Sequence, residues 1–236
     1  AEEYHEDMCN TVRLAEKLGV DTITCFSGCP GDCEASRYPN WVTCAWPDDN
    51  LDILKYQWDK VLIPYWKSFA QSAKDCGVSK IALELHPGFS VYNVDTLKRL
   101  REAVGPEIGV NFDPSHLLWQ GMEPVAVIRA FAGMIYHVHA KDVCIDRYNT
   151  ARNGVLDTKH YSDETHRSWI FRTIGYGNDA KYWKDIFSEL RKTGYDGTIS
   201  IEHEDSLINR LEGLQHAVDM VKSCAIFAET SGMWWA

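Results

Sequence analysis

The chain has 236 residues, 45% of them hydrophobic, and its 34 acidic against 24 basic side chains give a formal charge of −10. That length and composition suit one globular domain, and the acidic balance argues against a nucleic-acid partner, whose backbone is held by basic side chains. No apolar run approaches the roughly 18 residues of a membrane span and no charged-then-apolar leader is visible, so a cytoplasmic protein without a membrane partner is expected.

Met8, Val12, Ala15 and Leu18 recur at helical spacing and stop at Gly19, which predicts an opening helix capped by glycine. Residues 20–26 then read as a strand. From 29 to 50, Gly, Pro, Asp and Asn mix with Trp41 and Trp46, the pattern of a long loop able to cover a pocket. Val61, Tyr65, Phe69 and Ala73 form one stripe of a helix over 54–76, with Pro64 marking a kink or a later start. Strands follow at 80–84, 108–112 and 135–139, alternating with helices at 96–104 and 124–133. The segment 143–182 is too long for an ordinary connection and reads as an active-site lid or subunit arm. A helix ending at Gly194, a strand over 198–202 and a helix over 207–227 complete the β/α alternation. The eight cysteines are scattered, as expected of reduced thiols. Their one cluster, Cys25, Cys29, Cys33 and Cys44, lacks the paired spacing of a structural zinc site.

Four strands end in chemistry. Glu84 and His86 close the first, Asp113 and His116 the second, His137, His139, Lys141 and Asp142 the third, and Glu202 to Asp205 the last. Apolar strands of this kind are expected to be buried on both faces of a parallel sheet, and in a (β/α)8 barrel the reactive groups sit at the strand C-termini. Any one of Glu84, Asp113, His139 and Glu202 alone is an ordinary polar residue at a strand end. Four in the same strand position form a ligand set. Three carboxylates and an imidazole suit one divalent ion, Mn²⁺ first, with Mg²⁺, Co²⁺ or Zn²⁺ as alternatives. His86 lies on the same strand side as Glu84, as a second base, a substrate donor or a backbone-satisfied rim histidine. Lys141 is an oxyanion stabiliser or the partner of Asp142. Of Trp41, Trp46 and Trp119, one is expected to face a sugar, and Trp46 is the choice.

The motifs LELHPG (83–88), NFDPSHL (111–117), HVHAKD (137–142) and YDGTISIEHED (195–205) resemble the xylose isomerase-like superfamily of barrels, especially its sugar phosphate isomerase/epimerase group. The resemblance covers essentially the whole chain and corresponds to the family's last five strands. It implies an α/β fold, a (β/α)8 TIM barrel lacking its N-terminal βα units here, with residues 1–236 as a single domain. It also implies metal ligation by Glu84, Asp113, His139 and Glu202, acid–base roles for the two glutamates, and substrate contact by His116. Arg172, before Gly175 and Gly177, matches an arginine that binds sugar oxygens. Because five strands do not close a barrel of eight, the gene product is expected to extend upstream, to about 330 residues against the ~250 of an average barrel.

The chemistry expected is that of an isomerase or epimerase of a sugar or polyol derivative. A metal chelating a carbonyl and its neighbouring hydroxyl stabilises an enediolate while one glutamate removes a proton and the other returns it. With a leaving group at the β-carbon the same intermediate eliminates, so the alternative is a lyase or dehydratase acting on a keto-sugar or keto-glycoside, favoured if His86 is an acid or base. A DNA-repair endonuclease needs more metal-binding histidines and a basic groove. The partner expected is a small carbohydrate, and the long insert and Met233-Trp234-Trp235 suggest a homo-oligomer.

Overall fold

The computed structural model describes residues 2–229, 231–233 and 235. The chain opens on α1 (Glu2–Leu18), β1 (Thr22–Cys25) and, after the long loop, α2 (Asp49–Tyr56). A π-helical turn over Gln57–Leu62 leads directly into α3 (Ile63–Asp75), which carries Pro64 in its first turn. α3 thus starts at Ile63, the later start that Pro64 marks, because the missing N–H of a proline costs little in the first turn of a helix. β2 (Lys80–Glu84), α4 (Val94–Val104), β3 (Ile108–Phe112), a short α5 (Pro114–Leu118) and α6 (Pro124–Ala130) follow. Then come β4 (Ile135–Ala140), β5 (Asp142–Ile145), α7 (Arg147–Asn153), β6 (Trp169–Arg172), α8 (Ala180–Lys192), β7 (Ile199–Ile201) and α9 (Arg210–Cys224).

The five strands expected form one parallel sheet in the order β1-β2-β3-β4-β7. Its two faces differ, where the sequence suggested two apolar ones. Ile81, Leu83, Ile108, Val110, Phe112, Val138 and Ala140 are buried in the main core, and Ile199 and Ile201 pack against it. The positions alternating with them near the strand ends are Glu84, Asn111, His137, His139 and Ser200. These touch one another: Asn111 reaches Glu84 and His139, and Ser200 lies 2.9 Å from His137. Period-two alternation thus builds a hydrophobic face that binds the helices and a polar face that the sheet curls around.

The 143–182 stretch takes the form of an antiparallel ribbon, β5 against β6, with α7 between them. The ribbon has its own small core of Trp119, Val143, Trp169 and Phe171, with Trp119 and Trp169 stacked at 4.3 Å. Its base is pinned by Asp142. That buried carboxylate accepts hydrogen bonds from the backbone of Val143, Gly175, Gly177 and Asn178 and from Asn178 Nδ2. All eight cysteines are free. Among the described residues no helix is long and apolar enough to cross a membrane. Met233 and Trp235 are exposed, and Trp234, on which the expected oligomer contact also rests, lies outside the described residues.

Candidate metal centre

Each of the four expected ligands is delivered by a different strand. Glu84 is the last residue of β2, Asp113 follows β3 and caps α5, His139 is near the end of β4, and Glu202 follows β7. One ligand atom from each lies within 4.8 Å of all the others. His139 Nδ1 is 3.0 Å from Glu84 Oε2 and 2.9 Å from Glu202 Oε2. His116 Nε2 joins the group from α5, 3.2 Å from Glu84 Oε1 and 3.4 Å from Asp113 Oδ2.

Three carboxylates packed this closely repel one another, and the titration shifts record how the charge is offset. Burial pushes the Glu84 carboxyl up, but hydrogen bonds from His116 and His139 overcome it and hold the group well below its usual range. Burial would lower His139, yet its hydrogen bonds to Glu202 and Glu84 raise it to about 10. Asp113 is raised to about 6, chiefly by burial. The cluster therefore has the electrostatic character of a cation site, with a proton on the imidazole standing where a positive ion would serve. Asp113 Oδ2 and Glu202 Oε2 are buried without a well-aligned donor among the described residues. Buried acceptors left this way are costly unless a cation or water meets them. Hard oxygen donors with one imidazole, mutually in reach, fit a divalent ion.

Asn111, two residues before Asp113 on the same strand face, escaped the sequence reading. Its Nδ2 donates to Glu84 Oε2 at 2.9 Å and lies 3.3 Å from both His139 ring nitrogens, so it orients two of the ligands. It was in view inside NFDPSHL, but a neutral amide carries no ligand signal.

His86 Nδ1 donates to the Pro87 carbonyl at 2.6 Å, which leaves the lone pair on Nε2. Its ring lies 4.1 Å from that of His116, with Phe26 and Phe89 on its edges. Burial, followed by the neighbouring His116, lowers its pKa to about 4. Lys141 is 3% exposed, with Nζ 3.4 Å from both Glu202 and Glu204 and 4.2 Å over the Phe171 ring. It pairs with these acids, and Asp142 is instead satisfied by the 175–178 backbone and Asn178. Burial opposes its charge and the surrounding carboxylates outweigh that, so its pKa is raised. Arg172 is tied to Glu164 at 2.5 Å and to Asp205 at 3.6 Å. Trp46 stands 79% exposed on the loop after β1, whereas Trp119 is buried in the ribbon core. Phe171, from the ribbon, lies 5.4 Å from His116 and forms a wall of the site that no motif announced.

The model of the xylose isomerase-like TIM barrel family matches residues 1–224. The chain belongs to that family. It is 44% identical over 221 residues to the uncharacterized protein YfiH of Bacillus subtilis (strain 168), which covers 92% of this chain and 71% of that protein. The inosose dehydratase of Geobacillus thermodenitrificans is 27% identical over 149 residues, 63% of this chain and 47% of the dehydratase. The chain thus spans about half the length of that relative. Among solved structures, the IOLI protein with a bound zinc atom superposes with a TM-score of 0.58 at 18% identity, over 94% of this chain and 70% of that one. Five parallel strands with helices on one face and polar groups at their C-terminal ends are the part of a xylose isomerase-like barrel seen here.

Proposed function

We propose that this chain carries the metal-binding and proton-transfer groups of a divalent-metal-dependent isomerase or epimerase acting on a ketone of the sugar or polyol class. The observation that carries the reading is the convergence of Glu84 and Glu202 on one imidazole nitrogen, with Asp113 in the same cluster. A bound divalent ion supplies Lewis-acid polarisation of the substrate carbonyl and its neighbouring hydroxyl. Glu202, the more exposed of the two glutamates, is open to an incoming substrate and takes the proton next to the carbonyl. Glu84, held by Asn111 and 3.2 Å from His116 Nε2, returns a proton that it first takes from that imidazole, while Glu202 releases its own to solvent. Return to the opposite face of the same carbon epimerises, and return to the adjacent carbon isomerises. Lys141 and Arg172 are both occupied by carboxylates, which favours an uncharged substrate over a phosphorylated one.

A second reading, a lyase or dehydratase acting on a keto-sugar or keto-glycoside, is favoured by His86. Its Nε2 lone pair, beside His116, can take the proton next to the carbonyl and then hand that same proton to the departing group, a role that elimination uses and a simple epimerisation does not. Similarity to inosose dehydratases supports the same branch.

Metal-reconstituted protein incubated with a panel of ketoses, inososes and keto-glycosides in deuterated water tests both. A product of unchanged composition carrying deuterium next to the carbonyl identifies the isomerase; loss of water or an aglycone identifies the lyase. Glu202→Gln is expected to lower turnover by about 10²-fold or more, with metal content measured alongside. Full turnover in that variant would remove Glu202 from the mechanism.

A further inference from the structure

The backbone sets Lys141 and Glu202 side by side. Lys141 is the single residue between β4, which carries His139, and β5, and across the β4–β7 pair Glu202 N donates to the Ala140 carbonyl at 3.1 Å. The chain is anchored beyond each of them. Asp142 is clasped by the 175–178 loop, and Asp205, after Glu202, accepts from Thr173 N at 2.8 Å and Thr173 Oγ1 at 3.0 Å. The two side chains therefore meet from fixed backbone.

Lys141 Nζ stands 3.4 Å from Glu202 Oε1, 3.4 Å from Glu204 Oε1 and 4.2 Å over the Phe171 ring. Two carboxylates and one aromatic face match the three N–H donors of an ammonium. Its charge therefore acts on groups of the protein itself. Glu202 is divided between two surroundings: Oε2 lies 2.9 Å from His139 Nδ1, inside the four-residue cluster, and Oε1 faces Lys141. A carboxylate offered to a divalent ion can bind through one oxygen or through both, and binding through both leaves neither oxygen free as a base. Each carboxylate oxygen has about two lone-pair sites, so Oε1 can meet the ammonium on one and accept a proton on the other.

We propose that Lys141 is a positioning residue that holds Glu202 Oε1 out of the metal cluster, so that Glu202 ligates through Oε2 alone and keeps a base oxygen; this rests on the reading of the cluster as a divalent-metal site with Glu202 as base. Phe171 carries the support from the ribbon, its ring backing the ammonium. Glu204 shares the ammonium but its side chain is half exposed, and an ion pair open to solvent is weak. The aim of Glu202 therefore depends on Lys141 and little on Glu204.

Mn²⁺ binding to the full chain, followed by isothermal titration and by the relaxation of water protons, tests the proposal without a substrate. Lys141→Met and Lys141→Gln remove the charge at similar side-chain length; if one of them does not fold, the other decides. Each is expected to bind Mn²⁺ about threefold more tightly or better, because a positive charge leaves the surroundings of the cation and Glu202 gains a second ligand oxygen. The relaxation enhancement per bound ion is expected to fall by about half, as Oε1 displaces one of the roughly two waters that four protein ligands leave on a six-coordinate ion. On a ketone that the parent turns over, kcat is expected to fall about tenfold or more with KM within about threefold. Tighter metal with slower turnover separates positioning from a merely structural role, whose loss loosens the metal. Glu204→Gln is expected to leave relaxation and turnover unchanged. Absence of Mn²⁺ binding by the parent overturns the metal reading and this inference with it. Where the parent binds Mn²⁺, unchanged relaxation or weaker binding in a folded lysine variant, or an equal fall in relaxation in Glu204→Gln, overturns this inference alone.

Discussion

Asn111 and Asp113 stand two residues apart on one strand end and act on the centre in opposite senses. Asn111 donates to Glu84 and lies against His139, so it fixes the direction of ligands without adding charge. Replacing it with alanine is expected to weaken Mn²⁺ binding by about 10–100-fold, as loss of a ligand-orienting hydrogen bond does, with unfolding little changed; isothermal titration reads the first and urea denaturation the second. Asp113 adds a third carboxylate to an already acidic, buried cluster. Asp113→Asn relieves that repulsion, so the metal-free variant is expected to unfold at the same temperature as the parent or higher, while the rise produced by added Mn²⁺ disappears. A variant that is destabilised without metal and still gains from Mn²⁺ would show that Asp113 is no ligand. The four clustered candidate ligands were legible in the sequence because acids and histidines are conspicuous at the ends of apolar strands. Asn111 and Phe171 were not, because an amide and a phenyl ring acquire their roles only from what tertiary packing sets beside them.

At the level of elements, the ribbon is held to the barrel by a close approach of backbones. A Cβ added at Gly177 would lie 2.5 Å from the Val143 carbonyl oxygen and 2.8 Å from Asp142 Oδ1. Gly177→Ala must therefore push the 175–178 loop away from the carboxylate it encloses. The expected cost is about 1–3 kcal/mol of stability, read by urea unfolding, together with faster hydrogen exchange at Gly175, Gly177 and Asn178. An unchanged exchange pattern would mean the loop is not anchored there. The β/α alternation was readable because apolar runs and glycine stops recur with the right periods at β1–β4 and β7. The ribbon was not, since 143–182 mixes Trp, Arg, His and Gly without a clean period, and β5 and β6 pair across a long intervening stretch. Similarly α5 hid inside a strand-end motif: only five residues long, it begins at a proline and is capped by the side chain of a metal-ligand candidate, Asp113.

For the molecule as a whole, an ion bound at the candidate metal centre would also act as a clasp. Its candidate ligands come from the ends of β2, β3, β4 and β7, four strands of a five-stranded sheet, whereas β1 ends in Cys25 and contributes none. A cation bound only by the folded arrangement stabilises it by RT ln(1 + [M]/Kd), about 2.7 kcal/mol at a hundredfold excess over Kd. Because the ligands lie at the strand C-termini, that stabilisation has an address. Mn²⁺ is expected to raise the thermal midpoint and to slow amide exchange jointly at the C-terminal ends of β2, β3, β4 and β7, with β1 and the loop after it changing least. A chelator should reverse both effects. Protection spread evenly over β1 and the outer helices would point instead to a general effect of salt on an acidic protein, and protection confined to one strand would mean that the four groups do not share an ion.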